Sequence, residues 1–202
     1  MQAKLTELTR IKSILGIDPA DVSEDSNIDF AILTTSAAVE SFLKRSLNRK
    51  QYTDVAVSAS SRQWIQLPEW PVLQVDEIKE DGELLDPADY VVDGSSGVIN
   101  RLGKKLWQKD ITATFIAGYV MPEDNNPPDA PRTLPYDIEN ACIMWAIDNY
   151  QSIARIGISR ESVEGISVAY ETPFTRSITT GGRILPAPPA VMSLLNPYRR
   201  VM

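Results

Sequence analysis

The sequence predicts an α+β protein: a small helical bundle of three main helices, an antiparallel β-hairpin module inserted between helices two and three, and an extended C-terminal arm ending in a short helix. Three observations carry that prediction. Apolar residues recur at three- and four-residue spacing near the N-terminus, over 26–47 and over 135–156, as one face of a helix requires. Between the second and third of these segments, short β-branched and aromatic stretches follow one another about ten residues apart, which suits antiparallel hairpins better than parallel βαβ units. After Gly157 the pattern becomes irregular, and an apolar segment opened by prolines lies near the end. The core therefore spans 1–157 and the arm 158–202.

Taken in order, Leu5, Leu8, Ile11 and Leu15 mark a first helix at about 4–16, with Gly16 as its cap and Pro19 barring continuation. The acidic loop "DPADVSEDSN" follows, and Ser26 with Asp29 resembles a capping box for the second helix, about 26–47. Ile28, Ile32, Val39, Phe42 and Leu43 form its buried stripe, and Lys44 and Arg45 suit its C-terminal end. The β module occupies about 50–120. "QYTDVAVSAS" and "RQWIQL" read as a hairpin, "PVLQVDEIKE" as a further strand, and Asp81-Gly82 as a tight turn. "DYVVD", "GVINR" and "ITATFIAGY" continue the pattern. Five prolines among residues 121–135 make a loop. A third helix, about 135–156, carries Ile138, Ala141, Cys142 and Trp145 on one face. Beyond it, "ESVEGISVAYE" reads as an extended arm, Gly181 and Gly182 as a flexible hinge, and "PPAVMSLLNPY" as a short helix starting at Pro188 or Pro189.

Composition narrows the functional classes. The chain has 202 residues, enough for one substantial core or one core plus a small module. No run of 18 apolar residues exists, so no membrane span or membrane partner is expected. A single cysteine excludes an internal disulfide and fits a reducing compartment. The absence of histidine removes Ser-His-Asp and Cys-His nucleophile pairs and nearly all zinc sites. Residues 172–202 carry four arginines and no acid, while the other 171 residues hold 16 Lys or Arg against 27 Asp or Glu. Such an acidic body disfavours general nucleic-acid binding and lets DNA pass with little attraction, whereas the basic tail suits an acidic protein partner.

Candidate chemistry is sparse. Acids cluster at Asp18, Asp21, Glu24 and Asp25, and again at Glu80, Asp81, Glu83 and Asp86, without the spacing of a calcium loop. Cys142 sits on an apolar stripe with no base to activate it. Trp64 and Trp145 fall at pattern-buried positions, which leaves Trp70 and Trp107 for exposed stacking. Loop carboxylates beside either ring would make a carbohydrate-binding or carbohydrate-processing module, the alternative reading of this chain. No catalytic constellation, metal site or cofactor frame emerges, so the chain is expected to be no enzyme and to need no cofactor.

The order of these pieces resembles the head–tail connector (adaptor, or head completion) proteins of tailed bacteriophages. The match rests on Leu67, Pro68, Pro71, Val72, Val75, Asp81, Gly82, Tyr90, Gly97 and Ile99, then on Ala117-Gly118-Tyr119, with "LTRIKSILGID", "AAVESFLKRSLNRKQYT" and "LPYDIENACIMWAIDNYQ" as the helices. It covers roughly residues 4–155. The loop "PEDNNPPDAPRT" is longer than in compact members. The resemblance implies a structural virion protein without chemistry, forming a homo-oligomeric ring, twelve-fold in the family, between the portal protein and a tail-side neck or head-closure protein. DNA would pass through its lumen without specific binding. The protein would sit in the virion neck, between capsid vertex and tail, and in the host cytoplasm during assembly. Longer members carry a C-terminal arm that docks on the portal. By that likeness Ile184, Leu185, Val191, Met192, Leu194, Leu195, Tyr198, Arg199 and Arg200 are the expected portal-binding residues, and deleting 183–202 should leave a folded domain that no longer binds.

Overall fold

The computed structural model describes residues 4–59, 61–103, 105–108, 110–122, 132–153 and 187–200, together with the backbone of four short strands between 160 and 185. These residues form an α+β protein with two compact units, one mainly helical and one built from the strands of 45–120. The helices are α1 (Leu8–Leu15), α2 (Asp25–Leu43), α3 (Tyr136–Ile153) and α4 (Pro189–Leu195). The strands are β1 (Lys50–Val57), β2 (Trp64–Gln66), β3 (Val72–Glu80), β4 (Glu83–Leu84), β5 (Tyr90–Asp93), β6 (Val98–Arg101), β7 (Ile111–Ala117), β8 (Arg160–Val163), β9 (Ile166–Ala169), β10 (Ile178–Thr180) and β11 (Arg183–Leu185).

In the helical unit, α1 ends where Gly16 turns left-handed at φ 70° and its N–H returns to the carbonyls of Lys12 and Ser13. Ile11 of α1, Ile28 and Ile32 of α2 and Ala146 of α3 form one buried cluster. Small residues line the α2–α3 seam and allow a close approach. The Ser36 hydroxyl lies 3.7 Å from the Cys142 sulfur, and Asn149 donates to Thr35 at 3.0 Å. Cys142 is wholly buried, and that burial pushes its thiol up to about 12, so it stays a neutral core residue.

Two helix details depart from expectation. The N-cap of α2 is Glu24, with no side-chain capping bond, so Ser26 lies within the first turn and no capping box forms; Asp29 instead pairs with Lys4 at 2.5 Å. The helix also stops at Leu43 rather than 47, because Lys44 takes the left-handed cap at φ 57°. Glycine usually marks such a stop, and a lysine in that place gives no warning.

In the β unit, β1, β7, β3 and β4 form one antiparallel sheet in that order, and β2, β6 and β5 form a second. The expected hairpin between residues 50 and 66 does not form: β1 pairs with β7, and β2 pairs with β6. The two sheets share a single core, in which Ile65 and Ile99 from one meet Ile78, Phe115 and Ala117 from the other. The two sheets thus contribute apolar faces to that one core. The Asp81-Gly82 turn does form, with both residues at positive φ (53° and 83°) between the paired Glu80 and Glu83. Arg45, expected at the end of α2, lies in this unit, its guanidinium 4.3 Å from the Trp70 ring centre and 5.7 Å from that of Tyr119.

The Ala117-Gly118-Tyr119 segment has a clear physical reason for its glycine. Tyr119 donates to the Leu47 carbonyl at 2.7 Å and accepts from Arg49 at 2.9 Å, which draws Gly118 against the backbone of Asn48. Gly118 has φ 109°, and a Cβ there would lie 2.4 Å from the Asn48 carbonyl oxygen. Gly118→Ala should therefore lower unfolding stability by about 3 kcal/mol or more, read as an earlier urea midpoint; an unchanged midpoint would mean the strand crossing can open at little cost.

Beyond α3, β8 pairs with β9 (Arg160↔Ala169 to Val163↔Ile166) and β10 with β11 (Ile178↔Leu185 to Thr180↔Arg183). Antiparallel pairs thus occur in the stretch expected to be an extended arm. The hinge assigned to Gly181 and Gly182 lies outside the described residues.

Candidate interaction surfaces

The C-terminal segment is built into the helical unit. Pro188 and Pro189 open α4, as the sequence suggests, and α4 packs along α3. Val191 and Leu195, four residues apart, are fully buried. Met192 and Leu194 are partly covered. Beyond the helix, the Tyr198 hydroxyl donates to Asp137 at 3.3 Å, and the Arg199 guanidinium lies 5.2 Å from the Phe42 ring centre. The Arg200 amide donates to the Leu43 carbonyl at 3.0 Å. That carbonyl belongs to the last turn of α2, where such groups lack partners within the helix. An arginine pair there also complements the negative end of the helix dipole.

The expected portal-binding residues therefore divide. Val191 and Leu195 point inward, and the tail is not a detached segment, because its apolar stripe is satisfied by α3. Ile184 and Leu185 lie in β11, where the backbone alone is described. Met192, Leu194, Tyr198, Arg199 and Arg200 retain some exposure.

A second surface, the acidic loop between α1 and α2, is organised by a residue that the sequence reading overlooked. Lys12 is almost wholly buried, and its ammonium meets the Pro19 carbonyl at 3.0 Å, the Asp21 carbonyl at 2.6 Å and the Asp25 carboxylate at 2.8 Å. Three donors thus find three acceptors. A signal was available: Lys12 occupies a place in the Leu8, Ile11, Leu15 stripe, where a charge needs a buried partner. On the outside of the loop, Asp18 accepts from the Ala20 amide at 2.9 Å and Asp21 from the Ser23 amide at 3.0 Å. The Ser23 hydrogen bonds hold the Asp21 carboxyl below the usual range. These acids shape a loop.

The other acidic group is also structural. Glu80 pairs with the buried Arg101 and accepts from the Gln108 amide at 2.7 Å, and Asp86 caps Ala88. Trp107 is fully buried and Trp64 is half-exposed, the reverse of expectation. Alternation explains the exchange: Ile65 and Leu67 fill the core, so Trp64 must face outward. Trp107 offers no face to a sugar, and the Trp70 ring is occupied by Arg45. Among the described residues, no group of three or more acids or Cys is arranged to hold a metal ion.

All of these residues are held on an α+β frame of helices and antiparallel sheets. Comparison with known proteins places that frame. A chain from the neck of an empty GTA particle, computed with C6 symmetry, superposes with a TM-score of 0.51 at 19% identity, over 98% of this chain and 91% of that one. A chain from the neck of a native GTA particle, computed with C12 symmetry, gives 0.47 at 20% identity, over 100% and 96%. The first of these likenesses concerns the fold alone. No curated protein matches. A family model described as head completion protein matches residues 4–201, and the chain belongs to that family.

Proposed function

We propose that this chain is a structural component of a phage neck: a head–tail connector that forms a homo-oligomeric ring, joins the portal to the tail-side neck proteins and extends the DNA channel. The observation that carries this reading is the family match over 4–201, nearly the whole chain. Support comes from the full-length likeness to a neck chain in a particle computed with C6 symmetry. A net charge of −7 suits a lumen that DNA must cross without sticking. No chemistry is part of the role. The portal contact is assigned to the exposed side of the tail, with Met192 and Leu194 as apolar contacts and Arg199 and Arg200 as charged ones, while Val191 and Leu195 hold α4 in place. Residues 184 and 185 belong to the same proposed contact.

Assembly occurs in the host cytoplasm and the product resides in the virion, between capsid vertex and tail. Electron microscopy of particles carrying an epitope-tagged copy tests this directly. Label in a ring beneath the capsid vertex is expected; label at the tail tip or inside the head, or none on particles, overturns the reading.

A further inference from the structure

The outer face of the second sheet lacks a partner among the described residues. Register aligns Trp64, Asn100 and Val91 across β2, β6 and β5 on the side away from the core. The Leu102 amide donates to the Asp89 carbonyl and extends this ladder, and the Trp107 amide donates to the Arg62 carbonyl, which sets Leu106 beside β2. The result is an exposed apolar patch: Trp64 is 43% exposed, Val91 53%, Leu102 45% and Leu106 48%. Its rim is basic. Arg62 lies 5.0 Å from the Trp64 ring centre, and Lys105 is exposed beside Asp89.

The α1–α2 loop has the opposite character. Residues 13–43 contain six acids and no base. Val22 is 71% exposed, between the exposed Asp21 and the partly exposed Glu24. Lys12 and the two aspartate turns hold this loop in shape, so little ordering is lost when it docks.

The geometry points to a head-to-tail contact between copies of this chain, in which the acidic loop around Val22 of one copy seats on the Trp64 sheet face of the next. This inference rests on the ring reading and names the surfaces that build the ring. The two patches differ and complement each other in charge, which makes the contact heterologous, the kind that builds a ring when its rotation closes. Val22 fills the apolar centre, while Asp18 and Asp21 face Arg62 and Lys105 on the rim. The basic C-terminal segment is a poor occupant of the same face because its charge has the same sign as the rim.

The test uses the full chain with Val22→Cys and Val91→Cys together, treated with a short bis-maleimide at concentrations where light scattering detects multimers. The buried Cys142 does not compete. A ladder of covalent oligomers beyond the dimer is expected, fading as salt rises, and reduced about tenfold or more by adding Arg62→Glu and Lys105→Glu. Multimers that give no ladder overturn this contact and leave the ring reading standing. Dimers from Val22→Cys alone indicate a two-fold contact and overturn it, as does an equal ladder from Val22→Cys with Leu84→Cys. A chain that stays monomeric throughout counts against both the contact and the ring.

Discussion

Deleting residues 188–202 is expected to destabilise the helical unit by about 4 kcal/mol or more, because Val191 and Leu195 each contribute about 1.5–3 kcal/mol of burial. Domains of ordinary stability hold about 5–15 kcal/mol in total, so the truncated chain should unfold at much lower urea or aggregate. The loss is compounded at α2, where removing Arg200 leaves the Leu43 carbonyl without its donor. Leu195→Ala alone should remove about 3 kcal/mol. Changing the partly covered Met192 to Ser should matter far less for folding and more for any partner contact. Urea unfolding followed by far-UV circular dichroism measures all three. If the truncated chain unfolds at the parental midpoint, α4 adds nothing to the fold and the whole tail is free for a partner, as the sequence reading expected.

The second large effect is expected from Lys12→Met. The methionine can fill the volume, but it leaves the Pro19 and Asp21 carbonyls and the Asp25 carboxylate without the donor that now satisfies them. Breaking a buried ion pair from one side costs about 3–5 kcal/mol, and the partial exposure of Asp25 places this case near the lower end. The unfolding temperature of the helical unit should fall by roughly 10 °C. Amide exchange in residues 18–24 should accelerate as the loop loses its anchor. Native-like exchange in that loop would show that the two aspartate turns suffice to shape it.

How much of this was legible in the sequence depends on the range of the interaction involved. The first three helices, the short helix at Pro189 and the Asp81-Gly82 turn are local, and spacing, proline and glycine announce them. Pairing in the β unit is not local. Nothing in "QYTDVAV" says that its partner is β7, about sixty residues on, and local pattern alone favours the nearest strand. The exchange of Trp64 and Trp107 has another cause: a three-residue strand gives too few alternations to fix which side faces the core. The tail was legible as an apolar helix, but not the place of its burial. An amphipathic segment carries the same pattern whether its groove belongs to its own chain or to a neighbour, and only the fold of α3 beside α4 distinguishes the two. Lys12 was missed because one charge in an apolar stripe looks like a flaw until its three acceptors are seen.

The two units also differ in how they are laid out along the chain. The strand unit is drawn mainly from one stretch, 45–120, whereas the helical unit joins residues before that stretch to residues well after it. During synthesis the strand unit can therefore fold while later residues are still being made, but α1 and α2 must wait for α3, and α3 for the last fifteen residues. A chain that stops before α4 would leave the side of α3 that α4 covers open to water. Chains that lack α4 are thus expected to carry an unfinished helical unit, whatever the state of their strand unit.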